Sequence, residues 1–412
     1  MALRGKNFSG RTAQLRLWTG LSPYVGGELL PSDSPGSAHG AYIGPEVYNC
    51  LSGLATTVFD ELALHAGTRE LGRHRIWHLV QAFRLDKLFD RSPFTLSGGE
   101  QALLAVVSAI ALNPGRLAID SALEQVDTNS KSHLVDWLRT ERGSKLETRI
   151  ADNRLSEFES SLDIKDVTTA DVAPLDGRLT FGPIDPLKYS KVTPTASNLI
   201  LDNVRFRYPN GPDILRQVSM EFQAGRLYML EGANGAGKST LAKLLTGVLR
   251  PTGGTIRAQP GNGDPWQRPG QIATYHSQNP DLQLFSTTVA EEVRSGIAAR
   301  GLASDELSKR ISNVLDTCGL SAVGEEHPLD LPFVIRKRVA LASTIVTAAP
   351  WLILDEPTLG QDDQTSSALA FLINRFVADG MGVIVISHSS WFRKQLSATP
   401  LRLRDGILSL AP

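Results

Sequence analysis

The sequence predicts an α/β fold written twice in tandem, and three observations carry that prediction. Short apolar runs such as Trp351-Leu352-Ile353-Leu354 and Val383-Ile384-Val385-Ile386 have the continuous hydrophobicity of strands buried on both faces. Helical periodicities lie between such runs. Landmarks of the second half recur, in the same order, in the first half.

The repeat runs as follows. Asn7 to Leu29 aligns without a gap on Asn234 to Ile256, so that Arg11 falls on Lys238. TTVFDEL at Thr56 matches TTVAEEV at Thr287, IDSALEQVD ending at Asp127 matches LDEPTLGQD ending at Asp362, and LDGRLT at Leu175 resembles RDGILS at Arg404. Order and spacing kept across four segments imply two copies of one domain, residues 1–182 and 198–412. The three prolines of Pro183 to Ser197 suggest a linker between them.

In copy one, Ile76, Leu79, Val80 and Phe83 recur at helical spacing. Copy two opens with LILDNVRFRY, whose alternation predicts a strand. Copy one has no counterpart to it and is expected to be N-terminally truncated, or to have its start codon upstream. Apolar Leu227 to Leu230 predicts a strand, and LAKLLTGVL after Thr240 a helix. Leu307, Ile311, Val314, Leu315 and Cys318 predict another helix, with Ser304 as N-cap and Gly319 as stop.

Between the Leu227 strand and its helix lies GANGAGKST, Gly232 to Thr240, which fits G-x-x-x-x-G-K-[ST]. Gly232, Gly235 and Gly237, with Asn234 between them, let successive backbone N–H groups face phosphate oxygens. Lys238 reaches the β and γ phosphates, Ser239 suits Mg²⁺, and Thr240 continues a helix whose N-terminal dipole favours anions. ATP with Mg²⁺ is the expected ligand pair.

Composition excludes several classes. The chain has 412 residues, 42 basic and 43 acidic, so no basic excess advertises nucleic acid, and a nucleic-acid partner is not expected. Two cysteines, Cys50 and Cys318, make neither a disulfide framework nor a cysteine metal cluster, and a reducing cytosol is the expected compartment. The longest apolar runs fall short of a membrane span.

These motifs together resemble the ATP-binding cassette (ABC) ATPases over nearly the whole chain. LSGGE, Leu96 to Glu100, is similar to the family's signature motif. WLILDEP, Trp351 to Pro357, looks like its Walker B strand with the catalytic glutamate. Asp362 matches the D-loop aspartate, Asp127 its counterpart in copy one, His388 the switch histidine, Gln278 the Q-loop glutamine, and Tyr208 the adenine-stacking aromatic. The resemblance implies a RecA-like core and a helical subdomain in each copy. SQNPDLQLF, Ser277 to Phe285, further resembles the ATPases of energy-coupling-factor importers. Their T-type subunit and small substrate-binding membrane protein become the expected partners, with a vitamin, a precursor or a transition-metal ion as cargo. The chain would then lie on the cytoplasmic face of the membrane as a peripheral subunit.

In this family two domains sandwich two nucleotides, each site pairing one domain's cradle with the other's signature. The resemblance therefore assigns one complete site. Lys238, Ser239 and Asp355 would hold triphosphate and Mg²⁺, and Gln278 would sense the γ-phosphate and the water and join the metal's ligands. Glu356 would orient or deprotonate that water, His388 would steady the γ-phosphate, and Ser97, Gly98 and Gly99 would form the lid. The other site carries Arg11 for lysine, Ser121 for glutamate, Asp152 or Asn153 for histidine, and LPFVI (Leu331 to Ile335) for the signature, and is not expected to hydrolyse ATP. A soluble cassette ATPase acting on ribosomes or nucleic acid is the alternative, and a non-hydrolytic regulator a third, disfavoured by Glu356.

Plainer readings apply elsewhere. His74 and His78 suit a polar helix face better than a metal site. Asp281 and Gln283 could merely shape a turn. Arg336-Lys337-Arg338 reads as a solvated basic turn at a helix start, with an acidic partner as the lesser reading.

Overall fold

In the computed structural model the described residues are 2–4, 11–21, 40–66, 70–140, 146–151, 164–166, 181–190, 197–209, 211–261, 263–297 and 304–411. Arg11's side chain, residues 5–10, Asp152, Asn153 and the Leu175 segment lie outside them. The chain divides into two compact units, Met1–Asp176 and Gly177–Pro412.

The first unit contains, in order, β1 (Ala2–Arg4), α1 (Arg11–Trp18), β2 (Gly40–Ile43), α2 (Val58–Ala66), α3 (Glu70–Ala82), α4 (Gly98–Ala111), β3 (Arg116–Asp120), α5 (Thr128–Leu138), β4 (Glu147–Ala151) and β5 (Ile164–Asp166). Its strands form one sheet in the order β2-β3-β4-β1-β5, every pair parallel. The expected α3 stripe is buried at Ile76, Leu79, Val80 and Phe83, against a core that includes Leu104, Val107 and Ile110 of α4. His74 and His78 lie exposed on α3, their rings 4.8 Å apart.

The second unit contains β6 (Asn198–Arg207), β7 (Asp213–Phe222), β8 (Leu227–Glu231), α6 (Lys238–Leu245), β9 (Gly253–Gln259), β10 (Ala273–His276), α7 (Val289–Ile297), α8 (Ser304–Cys318), α9 (Phe333–Ile345), β11 (Trp351–Asp355), α10 (Asp363–Ala378), β12 (Gly382–Ile386), α11 (Ser390–Gln395), β13 (Thr399–Arg404) and β14 (Ile407–Leu410). The central sheet runs β10-β11-β12-β8-β13-β14, parallel except for the last pair. A second, antiparallel sheet runs β7-β6-β9.

Alternation along the central strands explains why both faces are apolar. Leu352, Leu354, Val383 and Val385 face a core built with α9 and α10. Trp351, Ile353, Ile384 and Ile386 face the other core, with α6 and the antiparallel sheet. The registers Leu354↔His276, Asp355↔Ile386 and Ile386↔Leu230 bring the carboxyl ends of β10, β11, β12 and β8 level. Ligands of open α/β sheets bind at that edge.

Two expectations change. Residues Pro183–Tyr189 are not a free linker. Gly182 N–H donates to Gly319 O, Asp185 N–H donates to Thr317 O, and Arg375 donates to the carbonyls of Pro186 and Tyr189. Ile184 and Tyr189 join the second unit's core, so the boundary falls before Gly177 rather than at Gly182. The prolines rigidify a segment whose apolar residues still find a partner.

Arg336, Lys337 and Arg338 are likewise not solvated. All three are buried within the first turns of α9. Arg336 bonds to the carbonyls of Leu329 and Leu331 and pairs with Asp281 at 2.8 Å, and Arg338 bonds to Gly182 O and to Thr365 Oγ1. Backbone carbonyls, one of them 156 residues away, supply acceptors that a charge pattern does not announce.

Candidate functional site

The second unit's loop Gly232–Gly237 leaves the end of β8 and enters α6. Gly237 has φ +98°, and a Cβ there would meet Ile214 at 2.6 Å. A Cβ on Gly232 would meet Leu403 O at 2.5 Å. Only glycine lets the backbone turn this tightly and keep the loop open to an anion. Lys238 begins α6, and its ammonium donates to the loop carbonyls of Gly232 and Ala233 at 2.9 and 3.0 Å. The charge is therefore already aimed into the loop's own cradle. Ser239 and Thr240 follow in the first turn of α6, and Thr240 Oγ1 lies 3.2 Å from the hydroxyl of half-exposed Tyr208. That contact leaves the ring beside the loop, packed edge-on against Phe206.

Asp355 ends β11 and accepts a hydrogen bond from Tyr275 Oη at 2.8 Å. Glu356 follows with φ +45°, in the left-handed region, and its N–H donates to Ile386 O. Its carboxylate accepts from His388 N at 2.8 Å and from Ser387 Oγ at 3.2 Å, and His388 Nε2 lies 3.9 Å away. Burial pushes Glu356 up to about 7, helped by the charge of Asp355 and opposed by Lys238 and the bonds from His388 and Ser387. Burial lowers Lys238, while Glu356 and Asp355 act in the opposite sense.

An ammonium, two carboxylates and a hydroxyl-bearing helix start thus converge beside a glycine loop. That donor set fits a triphosphate with Mg²⁺: the loop N–H groups and Lys238 for phosphate oxygens, Ser239 and Asp355 for a hard cation. Gln278 follows β10, and its carbonyl accepts from Lys337. Asp362 instead caps α10, accepting Thr365 N–H at 2.8 Å. Gln283 shapes its turn by accepting from Ser277 N–H and donating to Tyr275 O, and Asp281 holds Arg336.

The first unit carries two capped helix starts and an aspartate at a strand end. Ser97 caps α4 in a reciprocal box with Glu100, ahead of Gly98 and Gly99. Asp127 caps α5 through Asn129 and Ser130. Asp120 accepts from Thr12 and from Tyr42, and Ser121, φ +56°, stands after it. No carboxylate occupies that following position.

The residues missed by sequence reading are Tyr275 and Lys337. Tyr275 stands three residues before Gln278 with no local signal, and Lys337 is hidden in a charge run.

A pH profile follows from the electrostatics. A base at Glu356 is lost on protonation, so kcat/KM should fall with unit slope as pH drops through about 7. ATPase rates with Mg²⁺ in excess check this. A rate constant flat down to pH 5 would show that no such base titrates there.

Residues 215–359 match the family model described as ABC transporter. The energy-coupling factor transporter ATP-binding protein of Thermotoga maritima is 35% identical over 190 residues, spanning 46% of this chain and 72% of that protein. A Caldanaerobacter subterraneus protein assigned to ABC transporter ATP-binding proteins is 26% identical over 395 residues, spanning 81% of this chain and 69% of its own length. A solved Clostridium perfringens protein, part of an ABC transporter complex, is 27% identical over 52% of this chain and 88% of its own, with a TM-score of 0.45.

Proposed function

The chain belongs to the ABC transporter family of ATP-binding proteins, whose ATP hydrolysis drives transport, and on that premise we propose a fused pair of cassette units energising an energy-coupling-factor importer. One site is competent and one degenerate. The observation that carries the asymmetry is the convergence of Lys238, Asp355, Glu356 and His388 in the second unit, against Asp120 followed by Ser121 in the first.

Duplication is supported by topology. The first unit's order β2-β3-β4-β1-β5 repeats the neighbours of β10-β11-β12-β8-β13. Tyr42 bonds Asp120 as Tyr275 bonds Asp355. Ser121 and Glu356 share a left-handed backbone, and each donates its N–H to the last residue of the next strand, Ala151 or Ile386.

At the competent site the chain's own groups do the following. The glycine loop and Lys238 hold the β and γ phosphates. Ser239 and Asp355, with Gln278 as the proposed further ligand, would hold Mg²⁺, which would supply charge neutralisation. Glu356 orients water and takes its proton as the oxygen attacks the γ phosphorus. The bond to the bridging oxygen breaks and ADP leaves. His388 steadies the γ-phosphate. Positioning and charge neutralisation account for most of such catalysis. The degenerate site lacks the proton acceptor.

The importer reading rests on QNPDLQLF and on the Thermotoga relative. Leu282 and Phe285 in that stretch are 75% and 78% exposed, an apolar pair suited to a hydrophobic partner. The partners are a T-type membrane subunit and a small substrate-binding membrane protein, with this chain peripheral on the cytoplasmic face. Among the described residues no helix is long and apolar enough to cross a membrane. The cargo is a vitamin, a vitamin precursor or a transition-metal ion. Purification of the tagged chain from native membranes should bring down two multi-span polypeptides. Recovery with ribosomes alone would overturn the importer.

A further inference from the structure

Lys337 is among the largest fully enclosed side chains of the described residues, 2% exposed, yet it ends in an ammonium. Its Nζ donates to Glu356 O at 2.9 Å and to Gln278 O at 3.1 Å. One cation on α9 thus joins the loop after β10 to the loop after β11.

The cost of putting it there is high. Desolvating an ammonium costs several kcal/mol unless good hydrogen bonds repay it, and a Met or Leu would fill the same space without that cost. Glu356 presents a matching difficulty. Its left-handed backbone is disfavoured by about 1–3 kcal/mol and persists only if its surroundings hold it. Both ends of the residue are held: its N–H donates to Ile386 O, and its C=O accepts from Lys337. In the first unit the residue equally far into α4 is Ala102, and there Ser121 replaces the glutamate. The lysine occurs only beside the carboxylate.

We infer that Lys337 is a positioning residue for ATP hydrolysis, fixing the backbones of Glu356 and Gln278 so that both side chains address one water. The inference rests on the reading that Glu356 handles that water. Lys337 acts through the two carbonyls.

The test compares Lys337→Met, Lys337→Gln and Glu356→Gln in the full chain, with thermal unfolding, fluorescent-ATP binding and steady-state phosphate release. Lys337→Met should lower kcat about 10–100-fold, the scale of an ångström-level misplacement, with ATP affinity held within about threefold. Lys337→Gln keeps an N–H donor and should retain more turnover than Met, although Met is the better packing match. A packing role predicts the reverse order. Near wild-type kcat in Lys337→Met, Met outperforming Gln, or turnover and ATP affinity falling together would each overturn the inference. Normal turnover in Glu356→Gln would instead overturn the assignment of the base, so the two failures are told apart.

Discussion

Glu356→Gln should abolish steady-state ATP hydrolysis while ATP binding persists. The substitution keeps the size of the side chain and its acceptor for His388 N–H, but removes the group proposed to take water's proton. A positioned base supplies about 10²–10⁴-fold, so phosphate release should fall at least by the lower figure. The nucleotide cradle, Gly232 to Ser239, stays intact, and trapped ATP should be measurable on the variant. Stability gives a second readout. Glu356 is raised to about 7 by burial, so the folded chain holds the proton over the window from the ordinary glutamate value to about 7, where the unfolded chain has released it. Stability from this group is therefore present at low pH and declines as pH rises through that window. At pH 8 the glutamine variant should be more stable than the parent by something on the order of 2 kcal/mol, less than full burial would give because the carboxylate keeps 14% exposure. At pH 4 the difference should vanish. A variant that hydrolyses ATP at the parent rate removes Glu356 from the mechanism.

The pattern of what could be read in the sequence has a physical basis. Trp351 to Leu354 and Val383 to Ile386 were legible because a parallel strand covered on both faces must be apolar throughout. The glycine loop was legible because its backbone tolerates no other residues at Gly232 and Gly237. The helix of Leu307 to Cys318 was legible from its stripe, and it begins with Ser304 inside its first turn rather than as the residue before it. What stayed hidden depends on partners far along the chain. Lys337 bonds carbonyls 59 and 19 residues away, and Arg338 one 156 residues away. Three adjacent cations on a helix point in three directions, and nothing local tells that each direction ends on a carbonyl. Ile184 and Tyr189 were hidden by the adjacent Pro183 and Pro186, which mark a break in regular structure but say nothing about burial. Tyr275 gave no local signal either, since an alternate residue of a short strand faces either a core or a site with equal ease.

The asymmetry of the two units makes the sharpest demand on Ser97. Its hydroxyl and backbone N–H are committed to a capping box with Glu100, which fixes the first turn of α4 and leaves the N–H groups of Gly98 and Gly99 at the helix start. If that start closes over the nucleotide held by Lys238, Ser97→Arg should lower turnover about 10²-fold, the scale of losing one preorganised donor in a water-poor site. Binding of ATP to the Lys238 loop should change little. Loss of the cap alone costs about 1 kcal/mol of stability. Ser97→Asn, which caps equally well, shows by its unfolding temperature how much of any effect belongs to the fold. Mixing then tells which chain supplies the lid. Ser97→Arg retains a sound cradle and Lys238→Ala a sound signature. If the two halves of one chain pair with each other, a mixture of the two variants has no complete site and stays inactive at every protein concentration. If signatures and cradles pair between chains, each mixed dimer regains one site, and activity returns as concentration rises. Parent-level turnover in Ser97→Arg, or recovery on mixing, would each remove the self-pairing chain from consideration, the first by dispensing with the lid and the second by moving it to another molecule.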